Sequence, residues 1–147
     1  MAAITKISEL GSKICVDDEN EHLVPALGNG TGVPGDMCGI DASNGRITGV
    51  QDGTDENFVG ILKESPVTGT ETAIVADVPC SLIVPKSGHR YRIRCLNTVD
   101  TQEAGYPLGF SATAYKMDVL ADAELAVARL SIAKKEDNET VAEVVWA

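Results

Sequence analysis

Residues 35–84, GDMCGIDASNGRITGVQDGTDENFVGILKESPVTGTETAIVADVPCSLIV, decide how this chain folds. Asn44-Gly45 lies between two apolar arms, Met37-Cys38 with Ile40 on one side and Ile47 with Val50 on the other. An Asn-Gly pair in that setting predicts a β-hairpin closed by a type I′ turn, which needs positive φ at both central residues. An acidic loop follows. Phe58–Leu62, Thr72–Ala76 and Cys80–Val84 then read as three further short strands. Strand after strand at this spacing, with turn residues between, predicts a mainly β, compact antiparallel barrel or sandwich with at most one or two short helices.

A chain of 147 residues is long enough to bury a core without staples, and a single domain over 11–147 is the simplest division. Residues 1–10 carry little signal and read as a flexible or partner-binding arm. Hydrophobic residues make up 44% of the chain but aromatics only 4%, so Val, Ile, Leu and Ala must build the core. Twelve basic residues against 22 acidic ones leave a net charge of −10. That balance argues against nucleic acid and anionic membranes, both of which call for a cationic face. The start of the chain lacks the apolar stretch of a signal peptide, and no run approaches the roughly 18–20 apolar residues of a membrane span. Synthesis in a cytoplasm is therefore expected. Cys15, Cys38, Cys80 and Cys95 are widely spaced and read mainly as buried thiols. Two disulfides would need an oxidising compartment, and a four-cysteine zinc site normally takes closely spaced pairs.

Lys13–Val16 reads as a first strand. The acidic run Asp17, Asp18, Glu19 and Glu21 beside His22 offers oxygen ligands for a divalent cation, although a solvated turn is the preferred reading. Leu23–Leu27 is apolar and extended, and Pro25 places it at a sheet edge. Gly30, Gly32 and Gly35 spell G-x-G-x-x-G, but Pro34 intrudes and a strand follows, so the helix that would receive a pyrophosphate is missing. Asp52–Asn57 is another acidic turn, without the sixth-position glycine of an EF-hand loop. Pro79 and Pro85 bracket a short strand near an edge. Phe110–Tyr115 alternates like a strand. Residues 118–130 are ambiguous between helix and strand, with a strand from Leu125 to Ala133 preferred. Lys134–Glu139 then turns into a last strand, Thr140–Trp146.

The most patterned segment is Lys86–Leu96. Arg90, Arg92 and Arg94 alternate with Tyr91, Ile93 and Cys95, which on a strand puts three guanidinium groups on one face and the apolar set on the other. They are the candidate partner interface. The competing reading is a face neutralised by the chain's own acidic loops at 17–21 and 52–56.

No reaction centre emerges. His22 and His89 lie in polar turns, no nucleophile elbow, Walker loop or H-E-x-x-H helix is present, and the carboxylate clusters sit in hydrophilic stretches. The chain reads as a non-enzyme without catalytic residues, metal site or cofactor.

Pro34-Gly35-Asp36, the hairpin from Ile40 to Val50, Val59-Gly60-Ile61 and the apolar strands from Ala73 to Val84 resemble the small β-rich decoration (cement) proteins on the capsids of tailed viruses. The resemblance covers about a third of the chain and leaves the arginine segment and the terminal Val144-Val145-Trp146 unmatched. It implies a structural protein of the virion. Such a protein would bind the outer capsid surface, bridge major capsid subunits and assemble as a homotrimer or another homo-oligomer. A β-rich adhesion module recognising a receptor or carbohydrate is the alternative.

Overall fold

The computed structural model describes residues 6–17, 21–50, 57–96, 104–111, 113–119, 127–131 and 140–147. Among these residues a single 3₁₀ turn at Ile7–Glu9 precedes ten strands: β1 (Leu23–Leu27), β2 (Met37–Ile40), β3 (Ile47–Gly49), β4 (Gly60–Leu62), β5 (Pro79–Ile83), β6 (Arg90–Arg94), β7 (Pro107–Phe110), β8 (Met117–Val119), β9 (Ala128–Leu130) and β10 (Val141–Trp146). They form two antiparallel five-stranded sheets, ordered β1-β5-β4-β2-β3 and β6-β10-β9-β7-β8. The expected mainly β fold is therefore what the chain adopts.

The two sheets are the same unit built twice. Substituting β6 to β10 for β1 to β5 reproduces the strand order, and the residue registers agree as well. Leu23 faces Ile83 in β1–β5, and Arg90 faces Val145 in β6–β10. Ile40 faces Ile47 as Phe110 faces Met117. Cys38 faces Gly60 as Leu108 faces Ala128, and Leu62 faces Leu82 as Leu130 faces Val144. In both units a lone parallel bridge ties the end of the first strand to the start of the third, Leu27 to Arg46 and Cys95 to Met117. Those bridges curl each sheet upon itself.

The core follows from this curl. Ala26, Cys38, Ile47, Leu62 and Leu82 fill the inside of the first unit, closed by Ile74 from the loop between β4 and β5. The corresponding residues of the second unit, Ile93, Leu108, Met117, Leu130 and Val144, belong to a larger cluster. That cluster also takes Met37, Ile61 and Ile83 from the other face of the first sheet, and Ile7, Ile14 and Cys15 from the N-terminal segment. The first sheet is thus covered on both faces. This explains why β4 is buried at all three positions and why its strands read as continuous apolar runs, whereas β6 alternates. Ile7 is fully buried, so the chain from Lys6 onward is part of the domain; residues 1–5 lie outside the described residues.

Several local expectations change. Gly45 takes positive φ (74°) but Asn44 does not, so the hairpin is not type I′. It is a longer loop in which the Asp41 amide donates to the Arg46 carbonyl at 2.8 Å and the Asp41 carboxylate accepts from the Ser43 amide at 2.9 Å. The second unit repeats that loop at 111–116, where Ser111 donates to Lys116 at 3.1 Å and Tyr115 holds φ 76° in the position of Gly45. Residues 113–115 are therefore a turn and not a strand. Lys13–Val16 forms a lone bridge, Cys15 to Tyr91. Thr72–Ala76 is no strand either, because the Ile74 backbone bonds to Gly30 and Gly32 of the glycine-rich loop. β5 lies inside its sheet, between β1 and β4, with Pro79 as its first residue; β1, carrying Pro25, is the edge. The strand expected at 125–133 is Ala128–Leu130. Residues 120–126 and 132–139, which include both ends of that expected strand and the loop 134–139, lie outside the described residues.

Two glycines separate backbone strain from crowding. A Cβ on Gly60 would lie 2.5 Å from the Ile83 carbonyl oxygen, a backbone atom, whereas one on Gly69 (φ 75°) would meet nothing within 4 Å. Gly60→Ala is expected to cost about 3 kcal/mol through a forced shift of β5. Gly69→Ala should cost only about 1 kcal/mol, from its left-handed backbone. Urea unfolding of both variants checks the difference.

Candidate functional site

Beside the β1 edge the first unit leaves an open cleft of about 430 Å³, lined by Leu23, Pro25, Lys63, Pro66, Val78 and Ser81 among others. The register puts Pro25, Ser81 and Lys63 in one row across β1, β5 and β4: Pro25 faces Ser81, and the Lys63 amide donates to the Ser81 carbonyl at 3.0 Å. Four large hydrophobic side chains are exposed among the described residues, and two of them line this cleft. Leu23 (41%) and Val78 (44%) line the cleft. Val75 (66%) and Val67 (89%) follow the lining residues Ile74 and Pro66 in the chain. Scattered exposed apolar residues need no explanation, but a group of them around a concavity marks a contact surface.

The polar end of the cleft is held by charge. Lys63 forms an ion pair with Glu21. Desolvation pulls the Lys63 pKa down, but the hydrogen bond and charge of Glu21 outweigh it and the net shift is upward. Glu64, half-buried, is pushed above the usual carboxylate range by desolvation, and its Oε1 accepts from the Ile14 amide at 3.4 Å. Cys80 also lines the cleft, with burial raising its thiol. All four cysteines are free thiols, and Cys15, Cys38 and Cys95 are buried.

The arginine face lies on the second unit, where the chain itself meets each guanidinium. Arg90 grips Asp17 through Nε (2.9 Å) and Nη2 (2.6 Å) and reaches the buried Glu143 at 3.3 Å. Arg92 Nη1 donates to the Lys13 carbonyl at 2.9 Å, and its guanidinium packs so closely on Gly11 that a Cβ there would lie 2.1 Å from Nη1. Arg94 donates to the Pro34 carbonyl (2.9 Å), the Thr70 carbonyl (2.5 Å) and Glu71 (3.1 Å). The internal pairing weighed in the sequence is thus present through the Asp17 end of the first acidic loop, while the 52–56 loop lies outside the described residues. Asp17 pairs with Arg90 and Glu21 with Lys63, while Asp18 and Glu19 of the same acidic run lie outside the described residues. No group of three His, Cys, Asp or Glu able to hold a metal occurs among the described residues.

One further ion pair joins the units. Asp36, 2% exposed, accepts from Lys116 Nζ at 3.1 Å and from the Val33 amide at 2.8 Å. Desolvation raises its pKa against the pull of Lys116. The cleft itself was not legible in the sequence. Its signal was the run of Leu23, Pro25, Val67, Val75, Val78 and Pro79, apolar residues in segments otherwise rich in turn formers.

Comparison with known protein families, curated proteins and solved structures gives no match. No helix among the described residues is long and apolar enough to cross a membrane.

Three outcomes follow from these contacts. Asp36→Ala leaves Lys116 and the Val33 amide without their partner and should cost about 2–4 kcal/mol in thermal or urea unfolding. Arg92→Glu removes the clamp on Lys13 and Gly11 and should lower stability by about 1–3 kcal/mol. The third concerns pH. The bond to Arg90 holds Asp17 below its ordinary 3.8. For Glu71, desolvation pushes upward, but bonds from Thr70, Ser8 and Arg94 outweigh it and hold the pKa below 4.5. A depressed folded pKa means that the contribution is complete above the unfolded value and is lost as pH falls through the folded one. Amide exchange at Val16 and Arg92, corrected for its intrinsic rate, should therefore accelerate between about pH 5 and about pH 3.

Proposed function

We propose that this protein is a structural component of a virion that attaches to the outer surface of an assembled capsid and stabilises it by bridging major capsid subunits. The observation that carries this reading is the apolar cleft of the first unit, lined by the exposed Leu23 and Val78 and flanked in the chain by the exposed Val67 and Val75, on a chain whose net charge is −10. Such a face suits a protein partner rather than nucleic acid or an anionic membrane. The decoration-protein pattern of residues 33–84 points the same way. On this reading the protein is made in the host cytoplasm, ends on the capsid surface and works as a homotrimer or another homo-oligomer. Its partners are the major capsid protein and itself, and it has no catalytic role.

A second reading has its own observation. A concavity of about 430 Å³ with mainly apolar walls that include Lys63 and Glu64 is within the size range of small-ligand sites. It favours a β-rich binding module for a receptor or carbohydrate.

Purified particles separate the two. A capsid-bound protein is recovered with particles in near-stoichiometric ratio to the shell subunit, and Val75→Asp should reduce that recovery by about tenfold or more. Recovery of only a few copies per particle, or no dependence on Val75, would count against shell attachment.

A further inference from the structure

Because the two units share strand order and register, each paired strand position on one has a counterpart on the other, and the β1 edge corresponds to the β6 edge. In β1 the even-numbered residues bond to β5: the His22 carbonyl accepts from Val84 at 2.9 Å and the Gly28 amide donates to Val78 at 2.8 Å. Leu23 and Pro25 therefore direct their backbone groups to the open side. Their counterparts in β6 are Arg90 and Arg92, and there the open side is occupied. The Arg92 amide donates to the Ile14 carbonyl at 2.7 Å, the Val16 amide donates to the Arg90 carbonyl at 3.0 Å, and Cys15 bridges Tyr91 antiparallel. Lys13 and Asp17 add the side-chain clamps. An extended segment of the chain is thus seated on the edge of the second unit. The same edge of the first unit has a cleft beside it and no such segment among the described residues.

We infer that the β1 edge and its cleft are the seat for an extended segment of a foreign polypeptide, laid along β1 as Ile14–Val16 is laid along β6, with apolar side chains where the internal segment carries a charge. This rests on the attachment reading above and names the chemistry of its partner. The two seats differ in the residues that read the occupant. Arg90 and Arg92 are replaced by Leu23 and Pro25, and the buried Glu143 by Ser81. A carboxylate in the position of Asp17 would have no guanidinium to meet and would lose solvent against Leu23. Pro25 has no N–H, so the donor that Arg92 offers to Ile14 is missing. The occupant bonds instead by donating to the Leu23 carbonyl, as Val16 does to Arg90, and gains the rest from apolar contact with Leu23, Pro25 and Val78. Backbone pairing sets its direction and the cleft sets its side-chain preference.

Two synthetic peptides test the seat on the whole protein. One copies residues 11–17 with Cys15→Ala and Asp17→Val, and the other keeps the aspartate. In amide NMR titrations the apolar peptide should shift Leu23, Val78 and Ser81, and the acidic peptide should bind roughly tenfold more weakly. Leu23→Asp, at an exposed position, should abolish the preference while its spectrum stays folded. Shifts confined to Arg90–Arg94, equal affinity for both peptides, or no shift at millimolar peptide would overturn the inference. So would concentration-dependent self-association abolished by Leu23→Asp, since the occupant would then be a second copy. Particle recovery keeps the two readings apart. If Leu23→Asp protein binds particles as the native protein does, attachment stands and the seat fails. If neither binds particles, attachment fails while the peptide titration still decides the seat.

Discussion

Unsatisfied strand edges are the constraint on which this structure depends. A five-stranded sheet exposes two rows of backbone donors and acceptors, and each row is open to any extended chain. Both units remove part of the difficulty by curling until the outer strands touch, through Leu27 with Arg46 and Cys95 with Met117. The remaining sides of β1 and β6 are treated differently. β6 is covered by Ile14–Val16 and by Gly35, whose carbonyl accepts from Arg94 at 3.0 Å. β1 is blunted by Pro25, which removes one donor from the row.

The arginines are part of that cover. Arg90 and Arg92 fasten the segment from Gly11 to Asp17 over β6, and Arg94 fastens the loop at Pro34 and the turn at Thr70–Glu71. Three like charges on one strand face are tolerable because carboxylates and carbonyls meet each of them. Their placement between the N-terminal segment and two loops of the first unit makes the strand a clasp between distant parts of the sequence. Asp36 with Lys116 is a second clasp, and Tyr115 a third. The Tyr115 backbone joins Met37 and Val50, and its hydroxyl accepts from Asn29 at 2.7 Å. These contacts offset the left-handed backbone that Tyr115 adopts where the first unit has a glycine.

Duplication gives the two units one architecture and opposite surfaces. Where the second unit carries Arg90, Arg92 and Glu143, the first carries Leu23, Pro25 and Ser81. One edge therefore binds the chain's own polar segment and the other presents apolar side chains to the outside.

The sequence by itself determined the class of fold, the Asn44-Gly45 reversal, the edge position of the Pro25 strand and the alternation of β6, since each depends on neighbours in the chain: turn formers, a missing N–H, a period of two. It also carries a trace of the repeated unit, in Gly39-Ile40-Asp41-Ala42-Ser43 and Gly109-Phe110-Ser111-Ala112-Thr113, a likeness too short to mark a repeat by itself. Tertiary structure decided the rest. Thr72–Ala76 has the composition of a strand, but Ile74 is needed to close the first unit's interior and its backbone pairs with Gly30 and Gly32. Arg90–Arg94 has the pattern of an exposed interface, but Asp17, Glu71 and the Lys13 carbonyl arrive from segments far away in the chain. The cleft depends on exposed Leu23 and Pro25 meeting Lys63, Val78 and Ser81 from other segments. That is a property of how the two units and the N-terminal segment pack together, and no local stretch of sequence encodes it.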